Sequence, residues 1–285
     1  MKAIIFGEVI WDIYPDKKTI GGAPFNFAAN LSLLGNEVYL MTSVGNDELG
    51  MQAMDYMEKY GVSKKLVTGN KKPTGQCTVT LSDDGIPQYK VHTDTAFDNI
   101  EINEDILADI KKTSADVFYF NTLIQRSHVS AAALRKILNE CSFNEIFCDV
   151  NIREGCYSKE SILLCMEKAT TVKISDEEIG YLYTTGILPN EVACLEDICK
   201  LFPNIKKLVF TEGAKGSRVY DALNGKMHIC KNVPKTKVVS TVGAGDCYGA
   251  TFLHSMYMGK SIDDAIEYAT DRSAKVVESY EAIIE

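Results

Sequence analysis

The chain has 285 residues, of which 46% are hydrophobic and 24% charged, and a formal net charge of −9. Such a composition builds a globular protein with a sizeable core, and no apolar run approaches the roughly 18 residues a membrane helix needs. An acidic chain without a lysine or arginine tract is a poor partner for nucleic acid, so an anionic ligand must be met by donors concentrated at one site.

Residues 1–8 hold too short an apolar stretch for a signal peptide and meet an acid at once, so they read as an opening strand of a cytoplasmic protein. Nine cysteines, an odd number with no CxxC pair, are expected mostly as small buried hydrophobes in a reducing compartment. Runs rich in β-branched and aromatic residues follow at 3–6, 37–44, 116–120, 145–150, 171–174 and 206–211, and helical patterns separate several of them. This alternation predicts βαβ units and an α/β fold, with a mostly parallel central sheet flanked by helices.

Residues 74–92 break the rhythm. They read as two strands around Leu81-Ser82-Asp83-Asp84-Gly85-Ile86, where Asp84-Gly85 is a hairpin signal, and residues 9–20 offer a further strand. The result is a small β lid, a dimer surface, or an ordinary antiparallel edge of the main sheet. In the last third, residues 246–258 look helical and stop at Gly259. Ser261-Ile262-Asp263-Asp264 then starts another helix with a capping-box pattern, and Ile262, Ala265, Ile266 and Ala269 form its apolar face.

Two segments carry chemistry. Gly243-Ala244-Gly245-Asp246 stands after a β-branched run and at the head of a helix, where uncovered amides and the helix dipole attract anions. Asp246 there is either a helix cap or a carboxylate facing whatever the amides bind. Gly21-Gly22-Ala23-Pro24-Phe25-Asn26 lets the backbone approach a ligand, and Asn26 supplies a donor and an acceptor suited to sugar hydroxyls, unless it only caps its helix. No GxxxxGK[ST] is present, and Gly243, Gly245 and Gly249 miss the dinucleotide spacing by one residue, which disfavours P-loop and nicotinamide enzymes.

Taken in order, these segments resemble the two signature regions of the ribokinase-like (PfkB) carbohydrate kinases, and Gly-Gly-Ala-Pro resembles the fructokinase branch. Gly7-Glu8-Val9-Ile10-Trp11-Asp12, Val44-Gly45-Asn46-Asp47-Glu48-Leu49-Gly50, Pro73-Thr74-Gly75, Asp149-Val150-Asn151-Ile152-Arg153, Lys173-Ile174-Ser175-Asp176-Glu177-Glu178 and Thr211-Glu212-Gly213-Ala214-Lys215-Gly216 match further family segments. The resemblance implies one ribokinase-like kinase domain over residues 1–285, with a lid from about 9–20 and 74–98. It implies ATP-dependent phosphorylation of a sugar hydroxyl, with fructose the expected substrate. Asp246 would be the base, and the amides of Gly243, Ala244 and Gly245 the anion hole. Asp12, Gly22, Asn26, Arg126 and Arg153 would meet the sugar; Thr211, Gly213, Gly216, Lys173 and Ser175 the nucleotide; Glu178 Mg²⁺ through water. Another sugar, a ketodeoxy acid held by a guanidinium, a nucleoside stacked on Trp11, Phe25 or Phe97, and a catalytically silent sugar-binding protein are the competing readings. A homodimer through the lid is expected, with Val79, Leu81, Ile86 and Val91 as its apolar face.

Three departures qualify the resemblance. Ser240 stands where the family has the aspartate associated with its monovalent-cation site, so weak or absent potassium dependence is expected. Ser175 replaces a more usual asparagine beside Glu178. Little sequence follows the last helix, which leads to an expectation of weak nucleotide selectivity.

Overall fold

The structure, a computed structural model, describes residues 1–81 and 87–284. Residues 82–86 of the predicted hairpin turn lie outside the described residues. The strands are β1 (Lys2–Phe6), β2 (Ile10–Ile13), β3 (Lys18–Gly21), β4 (Glu37–Gly45), β5 (Val67–Asn70), β6 (Gly75–Leu81), β7 (Pro87–Val91), β8 (Val117–Asn121), β9 (Glu145–Asp149), β10 (Thr171–Ser175), β11 (Lys207–Thr211), β12 (Ser217–Asp221) and β13 (Lys226–Cys230). The α-helices are α1 (Ala23–Leu33), α2 (Glu48–Lys59), α3 (Glu104–Thr113), α4 (His128–Glu140), α5 (Lys159–Lys168), α6 (Ile179–Thr184), α7 (Leu195–Leu201), α8 (Ala244–Tyr257) and α9 (Ile262–Val277).

Nine strands form one sheet in the order β13-β12-β11-β10-β9-β8-β1-β4-β5, parallel from β5 to β11 and antiparallel over the last two pairs. All six strands expected in this sheet are present within one residue of their predicted bounds. The antiparallel edge β12–β13 was not anticipated. Both faces of the sheet are covered, and the alternation along β1 shows how. Ala3 and Ile5 turn to a layer holding Phe27 and Leu31 of α1 and Phe252 of α8, while Ile4 and Phe6 turn to a layer holding Phe118, Phe120 and Leu134. Because every residue of such a strand is buried, it reads as a continuous apolar run.

A second sheet of four strands, β3-β2-β6-β7, stands apart from the first, so the small strands are not an edge of the main sheet. Its inner pair β2–β6 is parallel, with Asp12 beside Cys77 in register. Of the apolar face expected there, Val79 is buried and Val91 half-buried against the core. Ile86 and the side chain of Leu81 belong with the undescribed part.

Asp47 anchors the small sheet to the large one. It caps α2 by accepting from the Gly50 N–H at 2.8 Å, and it accepts from Thr74 N at 2.8 Å and Thr74 Oγ1 at 2.6 Å. The Thr74 hydroxyl in turn accepts from Gly45 N at 2.9 Å. Desolvation alone would raise the Asp47 carboxyl, but the donors on Thr74, Gly50 and Leu49 hold it below its usual range. Replacing Asp47 by Ala removes a cap and leaves the Thr74 amide without its acceptor. Urea unfolding of Asp47→Ala at pH 7 should show a loss of roughly 2–3 kcal/mol; an unchanged midpoint would dismiss the anchor.

Candidate active site

Chemistry-bearing residues collect where the parallel strands end. Glu8 follows β1, Asn121 ends β8, Asp149 ends β9, Ser175 ends β10 and Thr211 ends β11. This carboxyl-end edge is where ligands bind in doubly wound sheets. The first turns of α1 and α8 reach the same edge, because Asn26 in the one meets Asp246 in the other.

Gly243, with φ at 80°, is the N-cap of α8, and a Cβ at that position would overlap Ala282. The helix begins at Ala244, two residues before the predicted start, and its first main-chain bond runs from Cys247 N to Gly243 O at 2.9 Å. The amides of Gly245 and Asp246 therefore have no intrahelical acceptor, and Gly245 is exposed. Asp246 does not cap the helix. Its Oδ2 accepts from Asn26 Nδ2 at 2.8 Å. Asn26 likewise is no cap: Gly22, with φ at 99°, holds that position, and Asn26 N donates to Gly22 O at 2.9 Å.

The charges around Asp246 set its chemistry. Desolvation raises its pKa above the usual aspartate value, against the hydrogen bond from Asn26 and the fields of Lys173 and Arg153; Glu178 adds to the rise. Lys173 is buried, bonded to both oxygens of Asp149 at 3.0 and 2.9 Å, and its Nζ lies 3.3 Å from where a Cβ on Gly245 would stand. Burial would lower the Lys173 pKa, but Asp149, Glu178 and Asp246 hold the ammonium above its usual range. Arg153 is exposed, and Glu8, Asp12 and Asp246 all feel its charge. Asp12 is half-buried on β2, its pKa raised by desolvation to about 6, with Arg153 and the Cys77 thiol pulling the other way.

Glu178 orients the loops beside these groups. One carboxylate oxygen accepts from Ile152 N and the other from Ser175 N, both at 2.9 Å. Among the described residues no group of three His, Cys, Asp or Glu side chains stands ready to hold a metal ion. A carboxylate held in this way suits an ion that keeps its own waters and rests mainly on phosphate, as Mg²⁺ does. Thr211 pairs with Ser175 across β10 and β11, and the turn through Gly213 and Gly216 follows it. In that turn Glu212 grips Arg218 through two bonds of 2.9 Å.

Arg126 is placed differently from the other expected sugar ligands. Its Nε and Nη2 donate to Asp98 at 2.7 and 2.8 Å, Nη2 also donates to His92 O at 2.6 Å, and Nη1 faces Cys156 Sγ at 3.7 Å. The guanidinium covers the Phe97 ring at 4.6 Å. All three nitrogens are committed within the protein. The aromatic candidates for a stacking platform are also core residues: Phe25 and Phe97 are fully buried, and Trp11 is 2% exposed with its Nε1 donating to Leu49 O.

Sequence reading left Glu8, Asn121 and Tyr119 without roles. Glu8 is 1% exposed and accepts from Asn121 Nδ2 through both oxygens, at 3.0 and 3.2 Å. The Tyr119 hydroxyl is buried without a hydrogen-bond partner, within the fields of Asp149, Asp246 and Glu8. A charged residue two positions after the apolar run Ala3–Phe6 was the available signal for Glu8.

The comparisons with known proteins agree with this geometry. The family model described as pfkB family carbohydrate kinase matches residues 5–285. The chain is 28% identical to the probable fructokinase-6, chloroplastic, of Arabidopsis thaliana over 282 residues, which cover 89% of this chain and 69% of that protein. An uncharacterized sugar kinase of Pyrococcus horikoshii, solved in complex with ATP, superposes with a TM-score of 0.82 at 24% identity, over 99% of this chain and 94% of that one. The fructokinase of Vibrio cholerae O395, solved with fructose, ADP and calcium, gives 0.81 at 20% identity, again over 99% and 94%. Fold and site thus define an enzyme that transfers phosphate to carbohydrate. The chain belongs to the pfkB family of carbohydrate kinases and is an ATP-dependent sugar kinase.

Burial lifts the Glu8 pKa from 4.5 to about 7, against the hydrogen bond from Asn121 and the field of Arg153. The folded protein therefore binds that proton more tightly than the unfolded chain does. The stability it brings is complete below pH 4.5 and is lost as the pH rises through about 7. Glu8→Gln removes the titration while keeping an acceptor for Asn121. Between pH 5 and pH 8 it should gain roughly 2.5 kcal/mol on the parent in urea unfolding; a constant difference would refute the assignment.

Proposed function

We propose that this kinase phosphorylates a neutral sugar, fructose first among them, with Asp246 as the general base. The observation that carries the reading is the 2.8 Å bond from Asn26 to Asp246 Oδ2, which aims a desolvated carboxylate from the head of an anion-attracting helix. In the reaction the sugar hydroxyl gives its proton to the Asp246 carboxylate while its oxygen bonds to the terminal phosphorus of ATP. The bond to the bridging oxygen breaks, and ADP leaves. The raised pKa strengthens the base. The free amides of Gly245 and Asp246 stabilise charge on the transferring group, and Lys173 contributes its field from below.

Asp12, Gly22, Asn26 and Arg153 are the proposed sugar contacts, and Thr211, Gly213, Gly216 and Ser175 the nucleotide contacts. Glu178 would hold Mg²⁺ through water, where the ion would neutralise charge on the phosphates. The small sheet carries Asp12 and is proposed to close as a lid that keeps water from the base. The Arg126 guanidinium is already spent on Asp98, so Arg153 alone of the expected sugar contacts could meet a substrate carboxylate, and Trp11, Phe25 and Phe97 are core residues rather than platforms for a base. The names of the relatives direct the choice to fructose, a cytoplasmic enzyme is the proposed setting, and a homodimer through the small sheet remains part of the proposal.

ATP consumption across a sugar panel, with Mg²⁺ present, should be fastest with fructose, and Asp246→Asn should lower kcat by about 10³-fold or more. Turnover by the mutant within tenfold of the parent would remove Asp246 as base. Faster turnover of an acidic sugar or a nucleoside would overturn the substrate. Ser240 offers no charge for a monovalent cation, and its hydroxyl accepts from Val242 N at 3.2 Å. Rates in sodium and potassium buffers should therefore agree within about twofold, where a large gain with potassium would contradict the proposal.

A further inference from the structure

Asn30 is fully buried in the middle of α1, one turn beyond Asn26, and the mechanism so far gives it no part. Its Nδ2 donates twice, to Asn26 O at 2.9 Å and to Ala282 O at 3.1 Å. Its Oδ1 is buried with no hydrogen-bond partner, a cost comparable to a lost hydrogen bond. An apolar side chain would fill this position in a helix more cheaply, so the amide must do something that packing does not.

What it does lies on the far side of its second bond. Ala282 belongs to the segment after α9, residues 279–284, which crosses the back of the anion hole as a strap. Its Cα and Cβ occupy the space a Cβ on Gly243 would need, so strap and anion-hole loop are in direct contact at the residue whose left-handed backbone starts α8. Ile283 is buried beside it, and Arg272 of α9 donates from Nη2 to Ile284 O at 3.4 Å. On the outer face Lys17, from the β2–β3 turn of the small sheet, lies over Tyr280 at 4.4 Å and over Tyr14 at 5.0 Å.

We infer that Asn30 is a positioning residue for phosphoryl transfer: by tying Ala282 to α1 it presses the strap against Gly243 and fixes the anion-hole amides relative to Asp246. The inference rests on the reaction proposed above. One side chain then connects the two elements that must stay in register, since Asn26 orients the base from the same helix that Asn30 ties to the strap. A loop free to retreat by an ångström would still bind sugar through Asp12 and Asn26, but it would meet the transferring phosphoryl group poorly.

Two measurements on Asn30→Ala test this. Hydrogen–deuterium exchange of the full chain with ADP and Mg²⁺ bound should show amides of residues 243–247 and 279–284 exchanging at least tenfold faster than in the parent, with β1 unchanged. Steady-state kinetics on the sugar the parent turns over fastest should show kcat reduced 10- to 100-fold and the sugar KM within about twofold. Unchanged exchange at 243–247, or a kcat within twofold of the parent, overturns the inference. A fall in kcat that only mirrors the unfolded fraction, measured by circular dichroism at the assay temperature, also overturns it. If Asn30→Ala does not fold, Ala282→Leu pushes the same contact from the half-exposed side and should give the same pattern. A parent inert toward every sugar, with the expected exchange pattern, would instead count against the proposed reaction and leave the coupling of strap to anion hole standing.

Discussion

The hydrogen bond between Asn26 and Asp246 joins groups 220 residues apart, and the arrangement of the whole sheet serves to make it possible. β1 is the third strand from the β5 edge of the large sheet, paired with β4 on one side and β8 on the other. α1 follows it after the first two strands of the small sheet, and packs with α8 and α9 on one face. Both helix N-termini then reach the carboxyl edge, where first-turn donors and helix dipoles point at the same volume. Phe27, Tyr119 and Phe147 hold α1 to the sheet below this point, with ring centroids 4.3 to 5.9 Å apart. The aromatic floor is apolar where the site is ionic, so the two helices are positioned by packing and aimed by one polar contact.

The electrostatics explain how a chain of net charge −9 meets a nucleotide. Glu8, Asp12, Asp149, Glu178 and Asp246 crowd one cleft, and Lys173 and Arg153 are the cations whose fields reach Asp246. Lys173 is fixed on Asp149, which leaves Arg153 as the cation of this set that is exposed to solvent. Phosphate recognition must therefore draw on oriented amides as much as on side-chain charge. Burial desolvates Asp246 and raises its basicity, and the negative field of Glu178 adds to the rise.

Much of this was legible in the sequence, for physical reasons that differ by element. The buried parallel strands showed as apolar runs because both faces of the sheet are covered. β13 did not, since Lys226, Met227 and Ile229 leave this edge partly open to water, and β12, though mostly buried, carries Ser217, Arg218 and Asp221 in its five residues. The Gly-Ala-Gly-Asp segment was readable because small residues at a helix start leave few other uses. Its pairing with Asn26 was not, nor was the commitment of Arg126 to Asp98, 28 residues away, because a partner brought close by folding leaves no periodic trace. Asp47 stood in a segment of unstated purpose and Thr74 at the expected entry to the small hairpin, and the structure joins them: they fasten the small sheet to α2.

That fastening bears on where specificity and chemistry are housed. Glu8 and Asp12 are four residues apart, yet Glu8 belongs to the floor of the large sheet and Asp12 to the small one, with the fully buried Val9 between them. In the proposed reaction the sugar-facing carboxylate therefore belongs to the small sheet, and the base to a helix packed on the large one. Asp12 lies opposite Cys77 of its own sheet in register, while Asp246 is held from α1. A change in the small sheet can alter which hydroxyl is presented without disturbing the carboxylate that deprotonates it. The Asp47–Thr74 contact pins the start of β6 to the end of β4. On the proposed reaction, substrate choice is thus housed in the small sheet and proton transfer against the large one.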